Sequence, residues 1–92
     1  MEDNWGTPIP ATAFSGHETR KASIAELSER AAAAKTVSLQ SQIAALIANY
    51  REGDMLLWYN SPKADWAAGM GSAGYVLIRG EWVLDSIVLK MN

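Results

Sequence analysis

The chain has no cysteine, one histidine, one phenylalanine and three prolines in 92 residues. Without cysteine there is neither a disulfide framework nor a thiolate metal site, which excludes small secreted scaffolds built on either. The single histidine, His17, leaves too few nitrogen and sulfur ligands for a transition-metal centre. In Ser15-Gly16-His17-Glu18 it reads as a solvated residue of an extended segment. A Ser-His-Asp hydrolase is not indicated, because no G-x-S-x-G elbow is present. Basic residues are also scarce: 8 Lys and Arg against 10 Asp and Glu give a net charge of −2, and Arg20-Lys21 is the one basic pair. Nucleic-acid surfaces need clustered cations, so no nucleic-acid partner is expected. No apolar run approaches the ~18 residues of a membrane span. The acidic N-terminal residues also lack the basic-then-apolar order of a secretory signal. The expectation is a cytoplasmic protein with no membrane partner.

What is present is a chain of 49% hydrophobic residues, fifteen of them alanine. Alanine favours helix but buries little area, and the large apolar residues gather after Leu39. A chain of this length makes one domain with one modest core, burying about 60–65% of its unfolded surface. Residues 1–21 read as an extended arm. Pro8 and Pro10 bracket Ile9 and disfavour helix there, while Trp5, Ile9 and Phe14 are apolar enough to dock on the domain or a partner. The first few residues are expected to fray.

Ser23 and Glu26 spell an S-x-x-E capping box, and Glu26 precedes Arg30 by four residues in the favourable helical order. The apolar stripe then changes phase. Ile24, Leu27, Ala31 and Ala34 share one face, whereas Leu39, Ile43, Leu46, Ile47 and Tyr50 share another, rotated by roughly 120°. Either one kinked helix meets two sets of neighbours, or the chain breaks near residues 36–38 and Ser38 caps a second helix. Arg51 suits the C-terminal dipole, and Gly53 the left-handed residue that follows a helix.

The rest reads as sheet. Asp54–Asn60 is short and rich in strand formers; residues 61–65 make a turn and residues 66–72 a glycine-rich loop. From Ala73 onward, two β-branched and aromatic runs flank Gly80-Glu81, a two-residue hairpin turn with glycine where type II′ needs it. The predicted architecture is α+β: the arm, then residues 22–92 as one domain. Helices cover 23–52, and a three-stranded antiparallel meander over 54–90 packs on the helical layer.

With that turn, Arg79 pairs with Trp82, Ile78 with Val83 and Val76 with Asp85. Alternation sorts Val76, Ile78, Val83, Ile87 and Leu89 to one face. Tyr75, Leu77, Trp82, Leu84 and Val88 go to the other, with Arg79 and Ser86. Both faces are apolar, unlike a sheet with one wet side. The helices cover one. The other needs the arm, the Trp66 loop or a second molecule.

Several motifs compete for a function. Gly69, Gly71 and Gly74 form a literal G-x-G-x-x-G, but it precedes a strand rather than opening a helix, and no acidic residue sits ~20 residues on. With Val76 the run resembles the glycine loop of protein kinases, and Ile87-Val88-Leu89-Lys90 is similar to their lysine strand. That resemblance covers about twenty residues, without an H-R-D or D-F-G segment. It implies at most a nucleotide-binding loop at residues 69–74, the alternative reading. Arg20-Lys21-Ala22-Ser23 resembles a basophilic phosphorylation target, and Ser23 is equally explained as a helix cap. Glu52, Asp54 and Asp65 lie at turns, where acidic residues serve local hydrogen bonding.

The favoured reading is a non-catalytic protein-binding module with no cofactor and no metal. It acts through an aromatic-rich sheet face with Trp58, Trp66, Tyr75, Arg79 and Trp82 as anchors, toward a protein partner or a second copy. Size, acidity and lack of cysteine are also those of phage- or mobile-element-type inhibitors of host proteins.

Overall fold

Two side-chain caps divide the helical region. Ser23 Oγ accepts from the Glu26 amide at 3.1 Å and starts α1, Ile24–Ala33. Ala34 leaves the helix with ψ 135°, and Thr36 starts α2, Val37–Asn49, its Oγ1 accepting from the Leu39 amide at 3.1 Å. The break is therefore real, but its cap is Thr36 and not Ser38. Thr36 is extended (φ −130°, ψ 151°), a conformation that suits a β-branched residue and an N-cap alike. Ser38 falls inside the first turn, where Gln42 Nε2 donates to its hydroxyl. The Ser23 box is only half used, because the Glu26 carboxylate turns toward Arg20 and Tyr75. At the far end α2 stops at Asn49 with Tyr50 extended, so Gly53 (φ +95°) is not its left-handed cap. It turns the chain into the sheet, where the Arg51 amide donates to Asp54 Oδ2.

The computed structural model describes residues 8–92. Its sheet has five antiparallel strands rather than three. The meander is present as β3 (Met55–Asn60), β4 (Ser72–Arg79) and β5 (Trp82–Met91), and the arm supplies two edge strands, β1 (Ile9–Pro10) beside β5 and β2 (Glu18–Lys21) beside β3. The order is β1-β5-β4-β3-β2. Every residue of β2 is exposed, so Glu-Thr-Arg-Lys carries no apolar alternation to betray a strand. β1 contains Pro10, which a strand tolerates at a sheet edge. A second correction concerns residues 61–72. Pro62 (φ −60°) opens a short helix, α3 (Lys63–Ala67), where a turn and a loop are expected from the sequence; five residues are too few to show a helical period.

The hairpin turn is as expected. Gly80 has φ +63° and no other residue type has positive φ among the described residues, the type II′ pattern. Arg79 pairs with Trp82 and Ile78 with Val83. Leu84 is then an extra residue, so Leu77 meets Asp85, and Val76 meets Ser86 instead of Asp85. This bulge reverses the faces of everything beyond it. Ile87 joins Tyr75 and Leu77 on the helix side, not Val76 and Ile78. A second shift leaves Leu89 extra, with Gly74 opposite Val88 and Ala73 opposite Lys90.

Two apolar layers result. On one side of the sheet Leu27, Ile43 and Leu46 of the helices pack on Leu56, Leu77 and Ile87. Each fully buried aliphatic side chain contributes about 1.5–3 kcal/mol. On the other side a 3-10 turn, Ala11–Phe14, crosses the sheet and lays Ala11 and Phe14 on Tyr59, Val76 and Ile78. Phe14 meets Tyr59 edge-on at 4.9 Å between ring centroids, and His17 lies 5.3 Å from Phe14. His17 is thus half-buried in an aromatic cluster, with Nδ1 enclosed and unpartnered, rather than solvated. The expectations of a docked Trp5 and of fraying at the first residues fall on residues 1–7, outside the described residues. Among the described residues no helix is long and apolar enough to cross a membrane.

Candidate functional site

β3 alternates Leu56, Trp58 and Asn60 toward the helices, and Trp58 lies directly across from Tyr75 of β4. After Asn60, α3 folds the chain back so that Trp66 lies on Gly71. A Cβ at Gly71 would stand 2.7 Å from the indole Cγ and closer still to the ring, so only glycine admits this stacking. Trp66 Nε1 donates to Asn60 Oδ1 at 2.9 Å. Asn92 clamps the same corner: its Nδ2 donates to the Trp66 carbonyl at 2.7 Å, and its Oδ1 accepts from the Gly71 amide at 2.8 Å. Trp66 is therefore held by main chain on one side and a side-chain amide on the other.

Trp58 and Trp66 wall an open groove of ≈ 930 Å³ at this end of the helix–sheet sandwich. Leu39 of α2 and Leu89 and Met91 of β5 supply the other apolar walls, and Arg30 and Lys90 stand at its rim. Neither cation has a carboxylate within ion-pair distance among the described residues.

Below the groove runs a polar chain. Arg20 donates through both terminal nitrogens to Glu26, at 3.0 and 2.8 Å, and stacks 5.2 Å above the Trp58 ring. The Tyr75 hydroxyl donates to Glu26 and accepts from Arg30 Nε at 3.3 Å. The Arg20 guanidinium, with help from the Tyr75 hydroxyl, draws the Glu26 carboxyl down to about 2. Burial, then the hydrogen bond to Glu26, pushes the Tyr75 phenol up. The helical Glu26–Arg30 pair expected from spacing is not made, because Arg20 takes the carboxylate and Arg30 takes the phenol.

The five residues singled out from the sequence divide between two ends. Trp58 and Trp66 line the groove. Tyr75 is fully buried between the layers and reaches outward only through its hydroxyl. Arg79 and Trp82 pair at the hairpin end, about 13 Å along β4 from Tyr75 at the usual strand rise. There Arg79 is occupied: Nε and one terminal nitrogen each donate to Asp54 at 2.7 Å, and the latter also donates to the Asn49 carbonyl at 3.1 Å. The Arg79 guanidinium holds Asp54 down to about 2, assisted by the Arg51 amide. Trp82 is 49% exposed beside β1. Arg30, Leu89 and Met91 are groove residues that sequence reasoning misses. Leu89 and Met91 depend on a bulge, and Arg30 reads there as the partner of Glu26.

The glycines at 69–74 each have a structural reason, one of backbone conformation and two of packing. Gly69 (φ +80°) turns the chain after α3, and Gly71 carries the Trp66 ring. At Gly74 a Cβ would stand 2.9 Å from the Ile87 carbonyl carbon and closer to its oxygen, inside the bulged pairing of β4 and β5. Among the described residues, no three His, Asp or Glu side chains gather where they could hold a metal ion. No family model matches the chain, and no curated protein and no solved structure matches it at a significant level.

Proposed function

We propose that the chain is a non-catalytic protein-binding module. Its groove takes an apolar or aromatic side chain from an exposed segment of a partner protein, and Arg30 meets a carboxylate on the same segment. One observation carries this reading: two tryptophans, one of them fixed by Gly71 and Asn60, face an open groove whose cations have no acidic partner among the described residues. Tryptophan and arginine are the residues that anchor protein interfaces. A wall already fixed before binding reduces the ordering cost of association.

The test is selection from a random dodecapeptide library against the intact protein, followed by fluorescence anisotropy on the enriched peptides. The expected sequences combine an aromatic or large aliphatic residue with Asp or Glu. Trp58→Ala and Arg30→Glu should each weaken their binding by about tenfold or more. No enrichment, or peptides indifferent to both substitutions, would remove the basis for the reading.

A further inference from the structure

β5 is ten residues long, yet β1 covers only Trp82 and Val83. From Leu84 to Met91 its outer edge has no neighbouring strand among the described residues. An edge with no strand beside it is a template for another strand, although one of its amides, that of Ser86, is held by Asp85 Oδ1 at 2.8 Å. The side chains along it do not repel such a strand: Leu84 is 41% exposed, Val88 43% and Met91 69%. The two bulges flank a regular stretch, Asp85–Val88, paired without interruption to Leu77–Gly74.

We propose that this edge pairs with the same edge of a second copy, antiparallel about a two-fold axis perpendicular to the sheet. The charge pattern selects that partner. Asp85 and Lys90 lie opposite Leu77 and Ala73, on the helix side of the sheet, with Ile87 between them. The two-fold keeps like faces together, so Ile87 stands against Ile87 of the second copy. Asp85 of each chain then faces the Leu89–Lys90 bulge of the other, and Val88 faces Ser86. Two identical Asp85–Lys90 ion pairs form, one at each end of the shared stretch. Lys90 has no carboxylate within ion-pair distance among the described residues, and Asp85, which accepts from the Ser86 amide and from Asn49 Nδ2, exchanges that amide for Lys90 of the second copy when the strands pair. An isologous contact of this kind closes at two copies and joins the two five-stranded sheets into one. The contact shares Leu89, Lys90 and Met91 with the groove but not Trp58 or Trp66, which lie on β3 and α3.

Sedimentation of the full chain from micromolar to millimolar concentration at low salt tests this. The parent should show a monomer–dimer equilibrium. Asp85→Lys and Lys90→Asp should each weaken the dimer by about tenfold, since each turns two attractions into repulsions. An equimolar mixture of the two variants should recover a heterodimer, because positions 85 and 90 of one variant are then both basic and face two acidic positions of the other. Amide exchange at residues 85–89 of the parent should slow as concentration rises, which needs no substitution at all. A parent that stays monomeric, a dimer indifferent to both swaps, or exchange at 85–89 that ignores concentration would each overturn the proposal. Trp58→Ala should leave the mass unchanged, separating this result from that of the groove.

Discussion

Alanine placed in turn at Gly69, Gly71 and Gly74 should destabilise the protein in that rising order, with no ligand present. At Gly69 a Cβ meets nothing within 4 Å, so the cost is the left-handed backbone alone (φ +80°), about 1 kcal/mol. At Gly71 the Cβ enters the Trp66 ring; the indole must move and its bond to Asn60 is lost, for about 1–3 kcal/mol. At Gly74 the obstacle is the main chain of Ile87, which cannot rotate away, so β4 and β5 must part locally, at about 3–5 kcal/mol. A domain of this size has roughly 5–14 kcal/mol in total, so Gly74→Ala removes a large share of it. Urea unfolding followed by tryptophan fluorescence reads all three, and Gly71→Ala should in addition shift the native emission as Trp66 leaves its seat. A phosphate-cradling loop would behave differently: alanine would reduce nucleotide binding while the ligand-free stabilities stayed close together. Equal unfolding midpoints across the series, or Gly74→Ala within about 0.5 kcal/mol of the parent, would refute the packing argument.

Two further outcomes follow from the caps and charges. Thr36→Ala should cost about 1 kcal/mol by thermal or urea unfolding, and Thr36→Ser much less, because the hydroxyl that receives the Leu39 amide is kept. Glu26 protonates near 4.5 when free and near 2 when folded, so between those values the unfolded chain holds the extra proton. Its contribution is complete above about pH 4.5 and is lost as pH falls toward 2, on the order of 2 kcal/mol after allowing for partial solvent access. Glu26→Gln should flatten that part of the stability–pH curve, and an unchanged slope would contradict the role given to Arg20 and Tyr75.

Much of the hairpin is legible in the sequence because its signals are local. Gly80-Glu81 sets the turn and the first two pairs, and Ser23 with Glu26 sets a helix start. The break in the apolar stripe marks two helices. What is not legible depends on partners far along the chain. Glu18–Lys21 becomes a strand only because Leu57–Asn60 offers an edge, and all four of its side chains remain in solvent. The extra residue at Leu84 is invisible to strict alternation, yet it decides that Ile87 lies under the helices. The same effect hides the groove: Trp58 and Trp66 are conspicuous in sequence, but their company of Leu89, Met91 and Arg30 follows from a bulge and from the choice Glu26 makes between two arginines.

The segment from Ile9 to Lys21 begins on one edge of the sheet and ends on the other, crossing three strands beneath it. Its two ends therefore find partners at very different distances along the chain. Thr19 joins Tyr59 across 40 positions, but Ile9 joins Val83 across 74. Such distant pairing is slow to find, because the intervening chain must be closed first. A molecule in which Ile9 has not yet paired leaves Val76 and Ile78 without the full cover of the arm, whereas the helix side is closed by α1, α2 and the local β4–β5 hairpin. Closure of the face opposite the helices therefore depends on the more distant pairing, and loss of β1 should expose apolar surface there first.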